Sequence, residues 1–112
     1  MNEKDKQIIE NIIDFCNRIN EYVSYYGNLK EEYLQNQLLQ DACSLIIIQL
    51  GEQVNKLSNE FKEDHKDIPW NEIIGMRIVH THHYEKVIDE IVWETIQNDV
   101  PHLKRYLEKI LK

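Results

Sequence analysis

Little in this chain interrupts a helix. Three glycines and two prolines in 112 residues supply too few turn signals for a many-stranded sheet, so an all-β or finely alternating α/β architecture is excluded. Only two cysteines are present. Cys16 and Cys43 sit among apolar residues with no CxxC spacing, which argues against a disulfide framework and for reduced core thiols in a cytoplasmic protein. Long hydrophobic runs are missing as well. The longest, Leu45 to Ile48, is far too short to span a bilayer, and the opening MNEKDKQ leads into an amphipathic pattern and not into the apolar core of a signal peptide. Positive charge is also scarce: 13 Lys+Arg stand against 20 Asp+Glu, a net charge of −7. That excludes a protein coating DNA or RNA nonspecifically, but leaves open an RNA strand entering a small basic cleft, where only the local field matters.

What is there is helical periodicity. Ile8, Ile12, Phe15, Ile19, Tyr22 and Tyr26 recur at spacings of four and three, and Ile9, Ile13, Cys16 and Val23 widen that stripe. YYGN should end this first helix, with Gly27 or Asn28 in the left-handed conformation. A second helix is expected from about Lys30 to about Phe61. From Leu45 to Leu50 it is apolar on nearly every side, as a central or interfacial helix would be. Within it, Gly51 costs roughly 1 kcal/mol relative to alanine. Pro69 opens a third, shorter helix through Ile73, Ile74, Met76 and Val79. Ile88, Ile91, Val92 and Ile96 mark a fourth. QND then looks like an N-cap cluster before Pro101 and a fifth helix carrying Leu103, Tyr106, Leu107, Ile110 and Leu111. The expected fold is an all-α antiparallel bundle of about five helices, one domain over residues 1–112. Its apolar segment at 45–50 exceeds what five helices readily hide, which points to a homodimer.

One stretch is chemically crowded. GMRIVHTHHY, residues 75–84, holds Arg77, His80, His82, His83 and Tyr84, and so three of the five histidines of the chain. An arginine forks onto a phosphate through two charge-assisted hydrogen bonds. A histidine titrates near neutrality and can move a proton. Together they suit attack by a ribose 2′-hydroxyl on the adjacent phosphodiester, a reaction that requires no metal. On a regular helix His82 would point about 140° away from Arg77. Joint action of the two therefore calls for the helix to end or distort near Thr81. Two other readings account for the same residues. One is a solvated helix end whose polar side chains complement the dipole. The other is a metal site built on His80 and His83 with Glu85 nearby, although no HExxH, second histidine pair or cysteine ligand accompanies it. No metal or other cofactor is expected. His65 and His102 are isolated, one in a loop and one in a first helical turn.

These residues form part of a longer pattern. IPWNEIIGMR, then Arg77-x4-His82-x-Tyr84, then IVWETIQNDVPHL from Ile91, resembles the HepT family of small HEPN-domain proteins encoded beside minimal nucleotidyltransferases of the MntA type. The likeness is strongest from Ile68 to Leu107. It implies an all-helical, dimeric ribonuclease toxin held in check by the nucleotidyltransferase antitoxin. On this resemblance Arg77 and His82 are the catalytic pair, placed in a composite cleft between two copies. Tyr84 is the hydroxyl that the partner AMPylates, and His80 and His83 are auxiliary imidazoles. One position departs: the family commonly places a polar residue after the arginine, and here it is Ile78. That departure keeps a second role in view, a catalytically silent subunit that binds the nucleotidyltransferase.

Overall fold

The computed structural model describes the backbone of residues 1–82 and 86–112 and the side chains of residues 1–76 and 89–112. Every regular element among them is helical, and there is no strand. Helix α1, Glu3–Tyr25, starts where Asn2 caps it, its side-chain oxygen accepting the Asp5 N–H at 2.7 Å. It stops where Gly27 (φ 86°) and Asn28 (φ 55°) both turn left-handed. There the Asn28 N–H reaches back to the Val23 carbonyl at 2.9 Å, satisfying an orphan carbonyl of the last turn.

The expected helix over residues 30–61 is three helices: α2, Lys30–Gln35; α3, Gln37–Lys56; and α4, Asn59–Asp64. The apolar stripe runs across both breaks, which is why periodicity alone missed them. The breaks fall at residues whose side chains compete for backbone N–H groups. Asn36 takes an extended conformation and accepts the Leu39 N–H at 3.0 Å. Ser58 does the same for the Phe61 N–H at 3.1 Å.

A second correction concerns QND. No new helix is capped there. Helix α6, Lys86–Glu94, runs through a π-helical turn, Thr95–Asp99, directly into α7, Val100–Leu111. Asp99 is right-handed helical and caps nothing with its side chain, and the Val100 N–H bonds the Thr95 carbonyl five residues back. Two forces meet here. Pro101 brings no N–H and its ring crowds the carbonyl four residues earlier, which favours a break. Ile96, Val100 and Leu103 are all buried, and a break would expose one side of that stripe. Widening the turn relieves the proline while keeping the stripe whole.

Helix α3 is central. It packs against α1, α2 and α5, Trp70–His82, while α1 also packs on α7 and α2 on α6. Ile46, Ile47, Leu50, Gly51 and Val54 are buried along it. Its apolar girth is not wholly covered: Leu45 is 55% exposed and Leu38 is 70% exposed. Both cysteines are free and buried, and burial pushes each thiol up to about 12, so neither is a thiolate nucleophile near neutral pH. No helix among the described residues is long and apolar enough to cross a membrane.

One buried carboxylate ties the start of α1 to the α3–α4 junction. Asp5 accepts the Ser58 N–H at 2.9 Å through one oxygen and the Ser58 hydroxyl at 2.6 Å through the other. Removing it strands two donors at a buried junction. Asp5→Ala is therefore expected to lower unfolding free energy by about 2–3 kcal/mol, read from denaturant midpoints at unchanged slope. A loss within error of zero would show that water replaces the carboxylate without cost.

Candidate active site on the α5–α6 hairpin

Helix α5 carries residues 75–82 of the crowded decapeptide at its C-terminal end, so the way α5 is held decides where they lie. Its entry is fixed by aromatic packing. Ile68 and Trp70 are buried, and the Trp70 indole N–H donates to the His65 carbonyl at 2.8 Å. The His65 ring stacks on Phe61 with centroids 4.3 Å apart, and the Trp70 ring lies 5.8 Å from Phe61. The Pro69 carbonyl accepts the Ile73 N–H at 3.2 Å, so Pro69 stands just before the first helical residue, Trp70. Further along, Ile73 and Met76 meet Ile47, Leu50, Val100 and Leu103 around a narrow crevice of about 30 Å³. Helix α6 is anchored in the same manner. Val92 and Trp93 are buried, and the Trp93 ring lies 5.5 Å from that of Tyr33. Two tryptophans, one on each arm, thus bind the hairpin to the core.

Arg77, His80 and His82 lie in α5, whose last residue is His82. Their side chains fall outside the described residues, as do His83 and Tyr84 entirely. The backbone nonetheless bears on one expectation. The helix neither ends nor distorts before Thr81 and includes His82. Five residues along a regular helix set the Arg77 and His82 Cα atoms about 140° apart around the axis and roughly 7.5 Å apart along it. Gly75, two residues before Arg77, is a helix-interior glycine, and a Cβ built on it would meet nothing within 4 Å. Nothing within the described chain accounts for that absence of a side chain.

Two groups, Tyr33 and Asp89, went unnoticed in the sequence because no spacing signals them. Tyr33 is fully buried, and among the described residues its hydroxyl has no hydrogen-bond partner. Burial, with Cys43 and Asp89 adding to it, raises the Tyr33 phenol far above its ordinary range. Burial also raises the Asp89 carboxyl. These groups are a stability cost of the kind that collects near functional surfaces. His65, expected in a loop, is the residue closing α4, and His102 lies exposed in the first turn of α7. Among the described residues no cluster of His, Cys, Asp and Glu could hold a metal ion; His80, His83 and Glu85 are outside that set.

Comparison with known proteins gives the class to which this all-helical bundle belongs. The chain belongs to the ribonuclease HepT-like family, whose model matches residues 12–110. It is 35% identical to "Putative RNase TTE0752" of Caldanaerobacter subterraneus subsp. tengcongensis, over 93% of this chain and 91% of that one. It is 30% identical to "Probable ribonuclease HepT" of Thermococcus cleftensis, over the full length of both. A third relative, "Putative RNase MJ1216" of Methanocaldococcus jannaschii, is 29% identical over 90% of this chain and 84% of its own. No solved structure matches.

The Trp70 anchor generates a graded prediction. Trp70→Phe keeps the apolar contact and loses the indole hydrogen bond, for about 1 kcal/mol. Trp70→Ala also opens a cavity and should cost about 3–5 kcal/mol. Equal stability of the two variants in denaturant melts would show that the ring is not what holds the entry of α5.

Proposed function

We propose that this protein is a metal-independent endoribonuclease that cuts RNA with Arg77 and His82, acting as the toxin of a toxin–antitoxin pair. The observation that carries the reading is the Arg77-x4-His82-x-Tyr84 pattern at the end of α5, within a chain whose family match spans residues 12–110. The relatives named as ribonucleases support the same activity here.

In this mechanism His82 removes the proton from a ribose 2′-hydroxyl, whose oxygen attacks the adjacent phosphorus. The bond to the 5′-oxygen breaks, and that oxygen leaves with a proton from an imidazolium. Arg77 holds two non-bridging oxygens and stabilises the extra charge of the pentacoordinate state. The Cα placement on α5 favours division of labour between two copies. A pair 140° apart on one helix is better suited to face a second protomer than to close on one phosphate alone. A homodimer is further supported by the bare surface at Gly75 and by exposed Leu38 and Leu45 on α3. Doubling the motif would also concentrate positive potential in one groove of an otherwise acidic protein. His80 and His83 are auxiliary imidazoles in this scheme, and the molecule works in the cytoplasm without a cofactor.

Control is assigned to Tyr84. An MntA-type nucleotidyltransferase would transfer AMP from ATP to its hydroxyl, releasing pyrophosphate. The adduct sets a bulky, negatively charged diester beside the catalytic pair and repels RNA. The alternative, a silent subunit that only binds the nucleotidyltransferase, draws on Ile78, which puts an apolar side chain directly after the arginine.

Purified protein should cleave RNA in EDTA, and Arg77→Ala or His82→Ala should reduce the rate by at least about a hundredfold, the usual scale for a lost general base or charge clamp. Co-expression with the nucleotidyltransferase should add one adenylate to the wild type and none to Tyr84→Phe, as read by mass spectrometry. Adduct formation without any cleavage by the unmodified protein would favour the silent subunit. Equal cleavage by His82→Ala would remove the assigned base.

A further inference from the structure

A second cavity, away from the hairpin end, lies between α1 and the junction of the π-turn with α7. It measures about 210 Å³, below the roughly 300–1,000 Å³ of pockets for drug-sized ligands. The space suits one planar ring system and not two. Its floor is apolar, formed by Cys16, Ile19, Val23, Ile96, Val100 and Pro101. The rim is polar: Asn20, Asn28, Gln97, Lys104, Arg105 and Glu108.

Three features make this more than a surface dimple. First, the Gln97 amide donates to the Asn28 side-chain oxygen at 2.8 Å. That bond orients the pair and leaves one acceptor, the Gln97 oxygen, beside one free donor group, the Asn28 NH2. Asn28 is itself held in a left-handed conformation, an uncommon state for a residue other than glycine. Second, among the described residues neither Lys104 nor Arg105 has an ion-pair or hydrogen-bond partner, and Glu108 is the lone carboxylate on the rim. Third, the cations belong to the one basic element of an acidic protein. Residues 100–112 hold four of the 13 Lys+Arg and a single acidic residue.

An apolar floor, a paired donor and acceptor, and two free cations match the parts of one nucleotide: a base face, a base edge and a phosphate. We propose that this cavity seats one unstacked nucleotide of the RNA substrate, with its base beside the Asn28–Gln97 amides and its phosphate against Lys104 and Arg105. The substrate class is then single-stranded RNA. A duplex cannot present a splayed base, and recognition of base edges in RNA is concentrated on unpaired segments. The cavity sits about eleven residues beyond the start of α6, roughly 16 Å along a helical rod. It is thus an anchor several nucleotides removed from the point of cleavage. The inference rests on the ribonuclease reading for its ligand, but not on the identity of the catalytic pair.

The test uses an uncleavable 2′-O-methyl RNA strand, followed by fluorescence anisotropy across a salt series and by NMR of side-chain amides. Binding should shift the Asn20, Asn28 and Gln97 amide signals. Lys104→Ala/Arg105→Ala should weaken binding about tenfold and flatten the salt dependence by roughly one phosphate contact. Lys4→Ala/Lys6→Ala, at the exposed start of α1, should change neither. The annealed duplex should bind without moving those amides. Unchanged affinity in the α7 double variant, or unmoved amides with the single strand, overturns the proposal. So does a free mononucleotide that moves the amides when the strand does not, since the cavity would then serve a small molecule. Cleavage assays on unmodified RNA, run beside the binding series, separate the two readings. Intact binding with no cleavage even by the wild type removes the ribonuclease assignment alone. Normal cleavage with no response at these amides removes the anchor alone.

Discussion

The burial of Trp70 is the constraint on which the arrangement of this protein turns. Helix α5 has thirteen residues, and its last three, His80, Thr81 and His82, are polar. A helix that ends in polar chemistry has to be fastened at the opposite end, and the indole of Trp70, wedged by Phe61 and hydrogen-bonded to the His65 carbonyl, supplies that fastening. Trp93 performs the matching task on α6 through Tyr33. The start of α5 and the end of α6 are thereby held to the core on either side of the motif.

The way α6 passes into α7 follows from the same logic. Without the π-turn, Pro101 would stop the rod and free the second arm of the hairpin from the helix packed on α1. With it, α7 stays in register with α6, and the hairpin is coupled to the whole length of α1 through buried Val100, Leu103 and Leu107. The widened turn also lines the cavity bounded by Gln97, Pro101 and Lys104. π-turns often accompany function for this reason: they move side chains off the faces that a regular helix would assign them.

Sequence patterning carried the fold class, the end of α1 at Gly27–Asn28 and the central position of α3, because burial writes its period directly into the apolar residues. It did not carry the breaks at Asn36 and Ser58. There one polar side chain outweighs local helix propensity, while the apolar stripe continues past the break undisturbed. It also misplaced a helix start at QND, since a good capping sequence loses when the helix on both sides of it is buried. As for the reactive end, the pattern from Arg77 to Tyr84 was legible as a motif before any coordinates. The anchors that aim it, and the Asn28–Gln97 pair drawn together across 69 positions, depend on tertiary contacts that no spacing encodes. The angle between Arg77 and His82 on α5 is the reason the proposed reaction divides the motif between two copies.

The central claim is chemical: a ribose 2′-oxygen is the nucleophile, activated by an imidazole and directed by a guanidinium. The ends of the cut RNA report on it most directly. Attack by the 2′-oxygen leaves a 2′,3′-cyclic phosphate on one fragment and a 5′-hydroxyl on the other, and mass spectrometry of the products should find both. Fragments ending in a 3′-hydroxyl and a 5′-phosphate would mean that water was the nucleophile, contradicting the roles given to Arg77 and His82.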